Sequence, residues 1–225
     1  MANNNPILTS WHHNADNWIA TIAHNEIASR TLVTNQAIIQ ATTAVVKQHV
    51  LDVGCGEGWL CRALQQLGLK TFGVDAVAAL ITHAQTFDQH YQVVSYEQLI
   101  SGCTLAANNF DTIVINFALI DEHTTAALLP ALQQYLPQGG YLVIQTLHPH
   151  AIDTEQPYKS GWRPGGWQGM ARHFDLPYDW YCRTLADWIA LFLQSGYHLV
   201  RMQEPLHPHT QRPASVIFTL QYTTK

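Results

Sequence analysis

The sequence predicts an α/β fold in which a parallel, doubly wound sheet carries helices on both faces. Between residues 49 and 147, short strand-like runs alternate with helix-like runs, which is the pattern of βαβ units. The runs TIVI (112–115) and LVI (142–144) are apolar throughout, as is typical of strands buried on both faces. The chain has 225 residues, a length that fits one domain with a single core.

The N-terminal segment predicts helices. Apolar residues such as Trp11, Trp18 and Ile22 recur at intervals compatible with a 3.6-residue period, and no proline or glycine follows Pro6 until Gly54. We therefore expect residues 1–45 to form a helical lid.

The next segment, residues 46–148, predicts the core of the sheet. Alternating patterns and turn residues define its elements. The predicted strands are 49–54, 71–75, 91–96, 110–119 and 141–147, and the predicted helices are 58–68, 76–87, a short turn from Glu97 and a helix that ends near Leu136.

The regular alternation breaks after this core. Residues 149–178 are rich in proline and glycine and too long for an ordinary connection, so we expect residues 149–180 to be a substrate loop. A helix over 183–196 and two strand-like runs then predict a helix followed by a hairpin within residues 181–225.

Composition excludes several classes of function. The net charge is −5 and the eleven Lys and Arg are scattered singly, so we expect no nucleic-acid partner. No apolar run is long enough for a membrane span and the first residues lack a signal-peptide pattern, which predicts a soluble, cytoplasmic protein. The spacing of the four cysteines predicts free thiols. The oligomeric state stays open.

Histidine is abundant, and the triplet HPH occurs at 148–150 and at 207–209. Proline between two histidines prevents the helical pairing that zinc sites of the HExxH kind use, so the sequence predicts no metal site. The histidine clusters nevertheless keep open a metal-responsive or cofactor-binding regulator without turnover.

The segment LDVGCGEGWL (51–60) places Gly54, Gly56 and Gly58 where a buried strand turns into a helix. Glycines let the backbone approach a ligand closely, and the helix N-terminus offers unpaired N–H groups. Asp75 ends the second strand, nineteen residues after Gly56, where a carboxylate can accept both hydroxyls of a ribose. The pattern predicts a nucleotide-like ligand.

The spacing of the glycines also argues against a dinucleotide cofactor. A dinucleotide fingerprint that begins at Gly54 would need its third glycine at position 59, which is Trp59. Asp52, just before the turn, suits a cationic ligand group better than a pyrophosphate. An NAD-linked oxidoreductase on the same fold remains the alternative.

These motifs resemble those of the class I S-adenosylmethionine-dependent methyltransferases. LDVGCGEGWL resembles their first motif, GVD (73–75) their second, FDTIVINFAL (110–119) their fourth strand and LPQGGYLVIQT (136–146) the segment that follows it. Within the family the chain looks closest to the small-molecule branch of the ubiquinone-biosynthesis type. The resemblance implies a Rossmann-like seven-stranded sheet in the order 3-2-1-4-5-7-6, with the last strand antiparallel, and S-adenosylmethionine as cofactor.

The resemblance also implies roles for residues. The backbones of Gly54, Cys55 and Gly56 would approach the methionine part, Asp52 would help to position it and Asp75 would hold the ribose. The adenine amino group is normally bound by an Asp after the third strand, which is missing here, so Ser95 or Tyr96 would take its place. The remaining cofactor-binding candidates are Ala76, Asn116, Phe117 and, by analogy with helical caps, Trp11 and Arg30.

Three residues are candidates for the chemistry. His148 follows the fifth strand and is placed to act as a general base, while the plainer alternative is a loop histidine bonded to backbone. Tyr181 and Arg183 are placed to reach the acceptor, or else belong to an N-terminal cap with Thr184. The sequence thus predicts methyl transfer to a small-molecule acceptor by in-line displacement, with a general base as an option.

Overall fold

A computed structural model describes residues 5–150, 157–167 and 169–223. Eight α-helices and nine strands are named for these residues. The helices are α1 (Pro6–His13), α2 (Ala15–Ala23), α3 (Asn35–Thr43), α4 (Trp59–Gln65), α5 (Ala78–Ala84), α6 (Tyr96–Ile100), α7 (Glu122–Ala131) and α8 (Leu185–Gln194). The strands are β1 (His49–Val53), β2 (Lys70–Asp75), β3 (Tyr91–Val93), β4 (Thr112–Asn116), β5 (Tyr141–Thr146), β6 (Gly161–Arg163), β7 (Trp180–Cys182), β8 (Tyr197–Gln203) and β9 (Val216–Tyr222).

Seven strands form one sheet in the order β3-β2-β1-β4-β5-β9-β8. The first five are parallel to one another, and β9 runs antiparallel between β5 and β8. The predicted order 3-2-1-4-5-7-6, with the last strand antiparallel, is therefore confirmed. The pair β6 and β7 forms a separate two-stranded sheet that the sequence pattern did not predict.

The third strand is shorter than its sequence run because the chain leaves the sheet to start a helix. Ser95 caps α6: its hydroxyl accepts a bond from the N–H of Gln98, and the Gln98 side chain accepts one from the N–H of Ser95. This reciprocal capping fixes the turn at the end of β3. The helix begins at Tyr96, one residue before the predicted turn.

The N-terminal segment is helical but not continuous. Asn5 caps α1, Asn25 takes a left-handed turn with φ 54°, and a π-helical turn (Arg30–Thr34) leads into α3. Helix α3 packs through Ile38 and Ala41 onto the core beneath β1 and α4. Hence α3 belongs to the layer that covers the sheet, and only α1 and α2 lie over its edge.

The core of the sheet is apolar on both faces, as the continuous hydrophobic runs require. β1 and β4 are buried at nearly every position. The loops that follow β1, β2 and β4 begin at the carboxyl edge of the sheet. Ligand sites of open parallel sheets lie at this edge. Within the described residues, no helix is long and apolar enough to cross a membrane.

Candidate functional site

A cavity of about 360 Å³ opens at the carboxyl edge of the sheet. Two of its walls differ in kind. We give the name glycine wall to the residues of the turn after β1, of the ends of β2 and β4 and of the start of α6. They are Gly54, Cys55, Gly56, Asp75, Ala76, Val77, Tyr96, Asn116 and Phe117. We call aromatic wall the set formed by the lid helices, the long loop, β7 and α8: Trp11, Trp167, Met170, Tyr178, Trp180, Tyr181, Arg183 and Trp188.

The turn after β1 needs glycine for two reasons. Gly54, Gly56 and Gly58 have left-handed backbones, with φ of 76°, 58° and 85°. A Cβ at Gly54 would also lie 2.5 Å from the Cβ of Ala118 and 2.8 Å from the hydroxyl of Tyr96. The turn therefore keeps its shape only without side chains.

Asp75 ties this turn to the second strand. One carboxylate oxygen accepts the N–H of Gly56 at 2.9 Å, and the other accepts the N–H of Val77 at 2.9 Å. Burial raises the pKa of Asp75, and these backbone donors counteract the rise. A carboxylate has about four acceptor sites, so its backbone donors leave acceptor capacity for a ligand hydroxyl.

Asp52 lies one layer deeper, behind the turn. It is 1% exposed; the Cys61 thiol donates to its Oδ2 at 3.5 Å, and its Oδ1 has no partner among the described residues. Burial, with the charges of Asp75 and Glu57, raises the pKa of Asp52 to about 7. Burial also raises the pKa of the Cys55 and Cys61 thiols, which keeps both unreactive.

The end of β4 brings a strained residue and an unpaired polar atom to the cavity. Phe117 has a left-handed backbone, with φ 54°, fixed by its N–H bond to the carbonyl of Gln145 at 2.8 Å. The side-chain oxygen of Asn116 is buried and has no hydrogen-bond partner within the described part of the chain. Strain and unpaired polar atoms are common at ligand sites.

Arg30 also lines the cavity. Its guanidinium carbon is 4.7 Å from the ring of Trp59 and 5.7 Å from that of Trp18. Its Nη2 is buried without a partner in the described residues, and burial lowers its pKa to about 10 although Glu57 opposes the shift. Glu57 itself pairs with Arg62 at 2.8 Å.

Aromatic contacts join the lid helices to the long loop. The Trp11 ring lies 5.1 Å from Trp18 and 4.7 Å from Trp167, and Trp167 lies 5.4 Å from Tyr178. The indole N–H of Trp167 donates to the hydroxyl of Ser10 at 2.8 Å. Helices α1 and α2 are therefore joined to the long loop by ring contacts and a hydrogen bond.

Tyr181 and Arg183 reach the cavity from β7 and the residue that follows it. The Arg183 guanidinium carbon is 4.8 Å from the rings of both Tyr181 and Trp188. Its Nη2 donates to the carbonyl of Glu122 at 2.6 Å, whereas its Nη1 is buried without a partner among the described residues. The arrangement leaves a cation facing the aromatic part of the cavity.

Most of the sequence candidates line this cavity, but three do not. Asp52 lies behind the turn, and Ser95 serves as a helix cap. His148 is 3% exposed, with its Nε2 2.7 Å from the Oε1 of Glu204 and its Nδ1 accepting the N–H of His150 at 3.2 Å. These contacts resemble the plainer alternative for His148, a histidine that holds its loop.

Sequence reasoning missed several cavity residues. Glu57 sits inside the glycine motif itself, and its acidic side chain among glycines was a usable signal. Trp59 entered only as an argument against a dinucleotide. Tyr178 and Trp188 carried no local signal, because only the packing of the loop and of α8 brings them to the cavity. No cluster of potential metal ligands occurs in the described ranges.

Comparison with known families agrees with this geometry. A family model described as a methyltransferase domain matches residues 26–200. A ubiquinone biosynthesis O-methyltransferase of Nitrosococcus oceani is 31% identical over 118 residues, which cover 49% of this chain and 48% of that protein. The mitochondrial ubiquinone biosynthesis O-methyltransferase of Homo sapiens is 32% identical over 108 residues, covering 44% and 28%. The chain thus spans about half the length of the first relative and less than a third of the second.

Solved structures show the same fold. An S-adenosylmethionine-dependent methyltransferase from Mesorhizobium loti superposes with a TM-score of 0.62 at 19% identity, covering 83% of this chain and 96% of that one. Another, from Clostridium acetobutylicum, gives a TM-score of 0.65 at 12% identity, covering 94% and 100%. Because the family match spans most of the residues, the chain belongs to the class I S-adenosylmethionine-dependent methyltransferases.

Proposed function

We propose that the chain transfers a methyl group from S-adenosylmethionine to a small molecule bound against the aromatic wall. The observation that carries the proposal is Asp75, whose carboxylate spans the glycine turn and keeps acceptor sites free at the cavity. The names of the relatives support a small acceptor, since both act in ubiquinone biosynthesis.

The residues of the glycine wall fit this cofactor. Asp75 would accept the ribose hydroxyls, while the open turn at Gly56 would admit the methionine part. Among the described residues, the Asn116 side-chain oxygen and the Nη2 of Arg30 have no partner. The first would accept a hydrogen bond from the cofactor, and the second suits the methionine carboxylate. Asp52, in its ionised form, would attract the cationic amino group from behind the turn. Ala76 and Tyr96 would lie against the adenine.

When bound, the cofactor supplies a sulfonium-activated methyl group to an acceptor nucleophile placed in line with it. The chain's own part is to orient both molecules and to exclude water. Trp11 and Trp167 lie over the cavity and close it from the lid side. Phe117 and Tyr181 line the space between the two walls, where we place the acceptor.

We assign His148 a positioning role in place of the general base that the sequence suggested. The Nε2 of His148 already bonds Glu204, and the ring does not line the cavity. A methyl transfer to an acceptor that is already anionic needs no base.

We also expect the chain to act in the cytoplasm, because its four cysteines are all unpaired.

The test is a thermal-shift series with S-adenosylmethionine and its demethylated product. Both should raise the Tm of the wild type, and Asp75→Asn should remove most of the shift because an amide cannot accept both ribose hydroxyls. Asp88→Asn changes a carboxylate that bonds Gln65 and His90 away from the cavity, and should keep the shift. A shift with NAD alone, or none with either cofactor form, would overturn the assignment.

A further inference from the structure

The aromatic wall contains one buried cation, Arg183. The residue is 6% exposed and lines the cavity between the rings of Tyr181 and Trp188. A guanidinium carries five N–H donors, and burying them without partners is costly. The partners of Arg183 therefore indicate what the cavity is built to hold.

The described residues leave this guanidinium incompletely satisfied. Nη2 donates to the backbone carbonyl of Glu122 at 2.6 Å, and Nη1 is buried with no partner. The rings on either side contribute cation–π attraction, which offsets burial only in part. The donor without a partner therefore belongs to a side chain that lines the cavity, next to the space a ligand would fill.

Three carboxylates lie near Arg183, those of Glu122, Asp121 and Asp187. Asp121 accepts the N–H of Thr124 at 2.6 Å, and Asp187 accepts the hydroxyl of Thr184 at 2.8 Å. Burial lowers the pKa of Arg183, and the field of these acidic groups opposes the shift. Within the described ranges no carboxylate forms an ion pair with Arg183, so its guanidinium has only a backbone carbonyl as a direct partner.

We propose that Arg183 binds the carboxylate of the methyl acceptor, and that the acceptor is a small carboxylic acid with a flat, apolar body. The planar guanidinium matches a carboxylate geometrically, and its ring contacts hold the fork in place. The body of the acceptor would lie against Trp167 and Tyr178, which offer apolar faces on the same wall. This inference rests on the proposed function, since it names the substrate class of that site.

Arg183 also has a plainer explanation, because its bond to Glu122 ties the start of α7 to β7. A structural tie needs one donor and no ligand. If Arg183 has only this structural role, Arg183→Gln would lower the stability of the fold, but the wild type would show no preference for charged over neutral ligands. Ligand charge therefore separates the two roles in the folded wild-type chain.

The experiment titrates the full chain by calorimetry, with and without the demethylated cofactor. The probes are 3-phenylpropionate and the neutral 3-phenylpropionamide, together with benzoate and benzamide. We expect each carboxylate to bind about tenfold or more tightly than its amide, as loss of a charge-assisted bond implies. Arg183→Gln should remove this preference, Arg183→Lys should keep part of it, and Arg163→Gln on β6 should leave it intact.

Equal affinity of acid and amide for the wild type would overturn the inference, whether or not the variants fold. A preference that survives in Arg183→Gln would do the same. Tighter binding of phenylphosphonate than of either carboxylate would overturn the carboxylate assignment. A Tm shift with the demethylated cofactor but no acid preference rejects only this inference, whereas an absent shift rejects the proposed function.

Discussion

The glycine wall and the aromatic wall meet in one cavity, but different interactions build them. The glycine wall is made of backbone: left-handed glycines, N–H groups and a carboxylate that bridges Gly56 and Val77. The aromatic wall is made of side chains from segments more than 150 residues apart, such as Ser10 and Trp167. The comparison teaches that the first wall is encoded locally and the second by packing of distant segments.

Other contacts across the aromatic wall follow the same rule. The side chain of Asn14 donates to the carbonyl of Asp175 at 2.7 Å and accepts its N–H at 3.0 Å. Arg172 of the long loop pairs with Glu26 at 2.7 Å. The lid and the loop are thus held to each other by bonds that involve no strand of the seven-stranded sheet.

The largest effect should come from filling the glycine wall. Gly54→Ala forces a left-handed alanine and a contact with Ala118, so we expect a loss of about 2–5 kcal/mol in the free energy of unfolding, with loss of cofactor binding. Gly68→Ala is the matched control, because Gly68 is also left-handed but has nothing within 4 Å of its Cβ site. It should cost about 1 kcal/mol in the same urea titration. Equal losses would show that backbone strain alone matters here.

A smaller effect should come from opening the aromatic wall. Trp167→Ala removes the ring that joins the lid to the loop, and we expect a loss of about 3 kcal/mol. Hydrogen exchange should quicken in α1 and α2 while β1 keeps its protection, because the sheet does not depend on this ring. Trp162→Ala removes an exposed indole on β6 and should leave hydrogen exchange unchanged in α1, α2 and β1. Uniform loss of protection in β1 would contradict the separation of the two walls.

The smallest effect concerns the carboxylate behind the glycine wall and depends on pH. The folded chain keeps the proton of Asp52 up to about pH 7, whereas an unfolded chain releases it near its ordinary pKa. Between these values the folded state binds more protons at Asp52, so the contribution of this group to stability falls as pH rises, by about 1 kcal/mol per pH unit.

Asp52→Asn cannot ionise, so its unfolding midpoint in urea should fall less steeply than that of the wild type between about pH 5 and about pH 7. Asp111 provides a control, because its pKa is shifted in the opposite direction to that of Asp52. It accepts the backbone N–H groups of Lys47, Gln48 and His49, which lower its pKa despite partial burial. Asp111→Asn should therefore keep the wild-type slope in this range. A slope unchanged in Asp52→Asn would show that the carboxyl is ionised in the folded chain.

Sequence reasoning predicted the sheet and named many residues that line the cavity, but it could not choose between roles that depend on distant neighbours. Ser95 and His148 had suitable positions, at the ends of the third and fifth strands. In the structure Ser95 caps α6, and His148 is hydrogen-bonded to Glu204, a residue 56 positions away. Trp188 carried no signal, because a tryptophan on an amphipathic helix is ordinarily part of a core.

The sequence by itself determined the alternation of elements, the glycine turn and the position of Asp75 at a strand end. These features rest on hydrophobic period and on backbone geometry, which nearby residues set. Only the tertiary structure decided that Arg183 keeps a donor without a partner in the described part of the chain and that Trp11 contacts Trp167. Those facts depend on which distant side chains share a space, and a linear pattern does not contain that information.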